Sequence, residues 1–252
     1  MDFAQGLWPL WGLARSLLIY YARPGRARRD RQFYGQWIRP GALCFDVGAH
    51  VGNRARVFLG LGARCVAVEP QPLFAGLLAR LYGRHPHFRL EQAALGPAAG
   101  TGELHISQRT PTVSTTALGW QERVGQAASF GRVTWDQTIA TRVLTLDGLI
   151  ARYGRPDFCK IDVEGSELAV LQGLSQPLPL LSLEYIPAVA ADAAACVQRL
   201  ERLGRYRFNW SQGESQALRQ SRWLTGEALC ARLERLPRDG PSGDFYARLE
   251  QA

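Results

Sequence analysis

Short apolar runs alternate with amphipathic stretches along most of this chain. Residues 43–47, 64–69, 88–91, 158–161 and 178–184 are apolar nearly throughout, the pattern of strands buried on both faces. Between and after them, apolar positions recur at helical spacing over 53–61, 73–81, 145–153, 166–173, 189–203 and 225–236. Strand–helix alternation of this kind predicts one α/β domain built on a mostly parallel sheet. Residues 103–107 alternate like an edge strand, 142–144 form a brief strand, and 206–210 with 222–224 read as an antiparallel pair at the sheet edge. Residues 109–135 are rich in Thr, Ser and Gly without periodicity, and a run that long is expected to cover a substrate. The boundaries expected are an N-terminal helical arm over 1–39, a domain over 40–236 and a poorly ordered Pro/Gly-rich tail over 237–252. There is no internal repeat.

The first strand runs into a glycine turn, Asp46-Val-Gly48-Ala49-His50-Val-Gly52-Asn53, and then a helix, the opening of a βαβ unit. Glu69 ends the second strand twenty-one residues beyond Gly48, where a ribose is held through its hydroxyls. The dinucleotide pattern needs a second glycine to admit a pyrophosphate, and His50 stands in that place. Asp46 just before the turn suits a cation and repels phosphate. The expected cofactor is therefore S-adenosylmethionine, an adenosine carrying a sulfonium and no phosphate, rather than NAD.

A second group of candidates lies at 157–167. Asp162 and Glu164 follow the apolar strand 158–161 at its carboxyl end, where ligands of open α/β sheets collect. Helix-end stabilisation accounts for Glu167 but poorly for Asp162, because a carboxylate leaving an apolar strand is costly to bury. Asp162 or Glu164 is the expected general base, with His50 as the alternative. Lys160, the only lysine in the chain, is expected to orient a carboxylate or the acceptor. Asp162, Glu164, Glu184 and His50 follow no standard ligand spacing, so no metal is expected.

Charge changes this picture little. The net charge is +8, but 29 of the 30 cationic residues are Arg, which reads as codon bias rather than selection for anions. Five cysteines without a C-x-x-C pair give neither a disulfide framework nor a zinc site, and the expected compartment is a reducing cytoplasm. The arm is apolar over 3–21 and then basic, with Arg15 breaking a run too short to span a bilayer. Packing on the domain, as a lid or homo-oligomer contact, is the favoured expectation, and peripheral membrane contact is the alternative.

FDVGAHVGN (45–53), AVEP (67–70), LEQAALG (90–96), TLDGLI (145–150), KIDVEGSE (160–167) and VLQGL (170–174) together resemble the FkbM-type S-adenosylmethionine-dependent methyltransferases. The resemblance implies a class I methyltransferase fold, a Rossmann-like three-layer sandwich with a seven-stranded mostly parallel sheet and one antiparallel hairpin. It implies O-methylation of a small-molecule, glycan or lipid acceptor, with the acceptor itself left open. Carried over, Asp46, Gly48, Ala49, His50, Gly52 and Asn53 would line the cofactor turn, Glu69 and Pro70 the ribose, and Gln92 and Ala93 the adenine. Asp162 and Glu164 would face the methyl group. A nucleic-acid methyltransferase ranks low, since Asp-Val-Glu-Gly follows the fourth strand where phosphate would be repelled. A non-catalytic binding scaffold is the remaining alternative.

Overall fold

The computed structural model describes residues 8–21, 25–117, 119–125 and 133–250. Its centre is a sheet of seven strands in the spatial order β3-β2-β1-β7-β8-β10-β9. These are β1 (Leu43–Val47), β2 (Arg64–Val68), β3 (Phe88–Glu91), β7 (Phe158–Ile161), β8 (Leu180–Tyr185), β9 (Tyr206–Trp210) and β10 (Gly243–Leu249). The first five pair in parallel, whereas β10 runs antiparallel to both its neighbours. The strand order reverses between β1 and β7, where a ligand crevice forms in such sheets.

Two helical layers cover the sheet. On one face α2 (Arg26–Tyr34), α3 (Asn53–Gly60) and α4 (Pro72–Tyr82) bury Phe33, Tyr34, Phe58 and Leu78 against Cys44, Cys65 and Phe158. On the other, α6 (Leu146–Tyr153), α7 (Glu167–Gln172), α8 (Ala190–Leu203) and α9 (Gly226–Leu233) close over Phe45, Val47, Cys159 and Ile161. Alternate residues of one strand thus feed opposite cores, as period-two geometry requires. All five cysteines are free.

A smaller three-stranded sheet joins β4 (Ala94–Leu95), β6 (Gln137–Leu144) and β5 (Gly100–Ile106), with β5 at one edge. The brief strand expected at 142–144 is the end of the longer β6. Between β5 and β6 lie a 3-10 turn, Pro111–Val113, and α5 (Trp120–Gly125), so the aperiodic stretch is partly structured. Its residues 118 and 126–132 fall outside the described residues.

Two expectations are corrected at the carboxyl end. Residues 222–224 do not form a strand beside β9, and only Leu224 bridges Phe208. The partner of β9 is β10, from the stretch expected to be a loose tail. It is buried from Gly243 to Ala247 and sits inside the sheet, so the domain does not stop at 236. The arm contributes α1 (Trp8–Tyr21), which packs on the domain. The Tyr21 hydroxyl donates to the Val51 carbonyl and lies 3.1 Å from the Tyr82 hydroxyl. Residues 1–7 and 22–24 of that arm lie outside the described residues.

Candidate functional site

The turn after β1 is shaped by close contact with the loop after β7. Gly48 has φ +80°, and a Cβ there would stand 1.8 Å from the Asp162 carbonyl oxygen. Only glycine fits, so the two chemistry-bearing loops meet backbone to backbone. His50 and Glu164 have φ of 49° and 52°, a left-handed conformation uncommon for residues with a Cβ and concentrated at functional sites.

These loops border a cleft at the carboxyl ends of β1, β2 and β7. Gly48, His50, Glu69, Pro70, Ala93, Asp162 and Glu164 line it, alongside Phe74 and Leu104. Glu69 is held by two backbone donors, His50 N at 2.8 Å and Gln71 N at 2.9 Å, which fix the carboxylate while leaving acceptor capacity on both oxygens. Burial nevertheless pushes its pKa to about 7.

Other candidates stand behind the cleft wall. Asp46 is buried beneath the turn, paired across the sheet with Lys160, and burial lifts its pKa to about 6. Lys160 is only 4% exposed and donates to Asp162 and to Asp244 at 3.0 Å each. It holds the Asp162 carboxylate from behind the cleft wall. Ala49 is buried in the core, and Gly52 backs onto Leu78 and Tyr82. Two candidates lie outside the cleft. Gln92 is exposed and does not line the cleft, because the chain beyond β3 turns its neighbour Ala93 inward instead. Asn53 faces a separate hollow with Tyr21, Arg26 and Arg56, because helix α3 rotates it away.

Asp162, Glu164 and Glu184 each place an oxygen within 4.8 Å of the others, a convergence that their spacing along the chain conceals. Burial and the neighbouring carboxylates push both Glu164 and Glu184 well above the usual carboxylate range. The trio has the oxygen donors a divalent cation needs, and shared protons relieve the same repulsion. His50 packs edge-on to Phe74 at 4.1 Å between ring centroids, and burial lowers its pKa to about 4. The imidazole is therefore neutral and weakly basic, a poorer base than either glutamate.

The aperiodic segment folds over this loop. Thr115 Oγ1 donates to the Glu164 carbonyl at 2.6 Å, and Thr116 and Ser166 hydroxyls meet at 2.8 Å. Thr112, Ser114 and Thr116 line the cleft. At Gly165 (φ +94°) a Cβ would come within 2.1 Å of the Trp120 ring, so α5 seats directly on the loop. Sequence reasoning named this segment as a cover without naming these residues; the Ser/Thr density at 110–116 was the signal available. Nothing local to Asp244 marks it as the second partner of Lys160.

The profile of the methyltransferase FkbM domain matches residues 46–185. No protein of curated function matches the chain. Similar solved structures include an O-methyltransferase from Bacillus cereus in complex with SAH, at 12% identity over 99% of this chain and 92% of that one, with a TM-score of 0.46. An rRNA methylase from Streptococcus thermophilus shows 10% identity over 88% and 94%, with a TM-score of 0.44. Cofactor-bound Rv0187 from MTB shows 12% identity over 96% and 90%, also at 0.44. The matched segment covers more than half of the chain and contains the glycine turn, Glu69 and the Asp162–Glu164 loop, and the chain belongs to the FkbM methyltransferase family.

Proposed function

We propose that this methyltransferase carries the methyl group of S-adenosylmethionine to a hydroxyl oxygen of a sugar, lipid or secondary metabolite. The observation that carries the reading is the charge of the cleft. Among the described residues no Arg or Lys lines it, whereas Glu69, Asp162 and Glu164 do. Such a site fits a cationic nucleoside and rejects a phosphorylated one. Glu69 would accept from the ribose hydroxyls, and Phe74, Ala93 and Leu104 would flank the adenine. Asp162, held by Lys160, would face the cationic end.

When bound, the donor would supply an electrophilic methyl carbon and leave as neutral S-adenosylhomocysteine. The acceptor hydroxyl must lose its proton, and Glu164 is the base. Its raised pKa gives it more proton affinity than an ordinary carboxylate, and a nearby cationic donor brings the ionised form within reach of neutral pH. Thr112, Ser114 and Thr116 line the cleft and would help to keep water from the reacting atoms.

Calorimetry with S-adenosylmethionine and S-adenosylhomocysteine, followed by labelled-methyl transfer to panels of sugars, lipids and hydroxylated metabolites, tests this. Glu164→Gln is expected to bind the donor and to lose about 10²–10⁴-fold in kcat. Absence of binding to either nucleoside overturns the catalytic reading in favour of a scaffold. Full activity of Glu164→Gln removes Glu164 as base.

A further inference from the structure

The two helical layers differ sharply in charge. Helices α2 to α4, with α1 joined to α4 through the Tyr21–Tyr82 contact, contain eight arginines against a single acid, Asp30. Helices α6 to α9 contain four arginines against five acids, Asp147, Glu167, Asp192, Glu201 and Glu227. A genome-wide preference for Arg codons raises both layers alike, so it does not explain a surplus confined to one.

Part of the surplus is used internally. Arg26 and Arg54 are buried against Asp30 and Glu214. Arg15, Arg28, Arg29, Arg31 and Arg80 are exposed, as is Arg84 just beyond α4, and none forms an ion pair with a described residue. An uncompensated basic layer attracts an anionic partner over roughly a Debye length, about 8–10 Å at physiological salt.

Apolar exposure is concentrated on the same layer. Among the described residues the exposed large hydrophobics are Leu18 of α1, at 69%, and Leu81 of α4, at 51%. They sit on the two helices joined by the Tyr21–Tyr82 hydroxyl contact, Leu18 one turn before Tyr21 and Leu81 next to Tyr82. No helix among the described residues is long and apolar enough to cross a membrane. Exposed leucines on helices that also carry exposed arginines are the pattern of a surface lying in the headgroup region. Nucleic acid would use the arginines but has no use for the leucines.

We infer that the α1–α4 face docks on an anionic lipid bilayer, with Leu18 and Leu81 entering the headgroup boundary and Arg15, Arg28, Arg29, Arg80 and Arg84 meeting lipid phosphates. This face reaches the edge of the cleft, because α1 contacts the Pro111–Val113 turn and Thr112 of that turn lines the cleft. The inference does not depend on which hydroxyl is methylated.

Sedimentation of the full chain with vesicles of phosphatidylcholine alone, and with added phosphatidylglycerol, is the test. Binding is expected only with phosphatidylglycerol, weakening as salt rises. Arg28→Ala and Arg29→Ala are each expected to lower vesicle affinity about fivefold, and the pair about thirtyfold. Leu18→Ser with Leu81→Ser is expected to weaken it at high and low salt alike. Donor binding by calorimetry stays unchanged in all these variants and shows that they are folded. Equal binding to both vesicle types, no binding to either, or unaltered affinity in the arginine pair overturns the inference. So does binding of RNA that the leucine variants leave intact and that phosphatidylglycerol vesicles fail to displace.

Discussion

Gly48 and Asp162 show how much of the site rests on single positions. The Gly48 Cα faces the Asp162 carbonyl so closely that a methyl group at 1.8 Å would force the β1 and β7 loops apart. Gly48→Ala is expected to remove donor binding while the sheet stays folded, with calorimetry and circular dichroism as the paired measurements; donor binding at wild-type strength would show that the turn yields freely. Lys160 is legible in part. Its position at a strand end and its uniqueness marked it, but its second partner, Asp244, lies 84 residues away and only folding brings the two to 3.0 Å. Removing the ammonium leaves two carboxylates without their shared counter-charge. Lys160→Met is therefore expected to cost about 3–5 kcal/mol in chemical denaturation, the scale for breaking a buried pair. A cost below ~1 kcal/mol would mean that water already solvates Asp162 and Asp244.

At the scale of elements, the parallel strands were readable because burial on both faces makes each a continuous apolar run. The helices were readable from their spacing; the one expected over 145–153, for instance, is capped by Thr145 Oγ1, which accepts from Gly148 N at 3.0 Å. β10 was not readable for a physical reason. Its run Gly243–Leu249 follows Pro237, Gly240 and Pro241 at the end of the chain, where composition points to disorder, and only pairing with both β8 and β9 makes it a strand. The lid residues were hidden differently, because hydroxyl-to-loop contacts such as Thr115 to Glu164 have no period. A chain stopped after Leu236 separates the two views of the terminus. Without β10 the edge strand β9 loses its ladder, Lys160 loses Asp244, and Phe245, Tyr246 and Ala247 leave both cores. That chain is expected to show no cooperative thermal transition; a native-like melting curve would return residues 237–252 to the status of a tail.

At the scale of the molecule, the acids of the site set how stability depends on pH. Folding raises Glu69 and Glu167 from 4.5 to about 7 and Asp46 from 3.8 to about 6, chiefly through burial, and holds Glu164 and Glu184 well above the usual carboxylate range. Over this interval the folded chain binds more protons than the unfolded one, so these groups make stability fall as pH rises. His50, lowered to about 4, acts in the opposite sense up to its unfolded value of 6.5, but it is one group against five. Glu214, lowered to about 2, has delivered its stabilisation by the time pH reaches its unfolded value of 4.5. The ligand-free protein is therefore expected to melt at progressively lower temperature from about pH 5 to about pH 8. A cation in the cleft reverses the local balance, because it favours the ionised form of each carboxylate facing it. The added stability from S-adenosylmethionine is thus expected to grow with pH through the region near 7 where Glu69 titrates. Binding is expected to release protons, detectable as a calorimetric heat that changes with the ionisation enthalpy of the buffer. S-adenosylhomocysteine, whose sulfur is neutral, is expected to show a smaller release. Equal proton release for the two nucleosides, or a donor-induced shift in melting temperature that ignores pH, would mean that the acids of the cleft do not read the sulfonium charge.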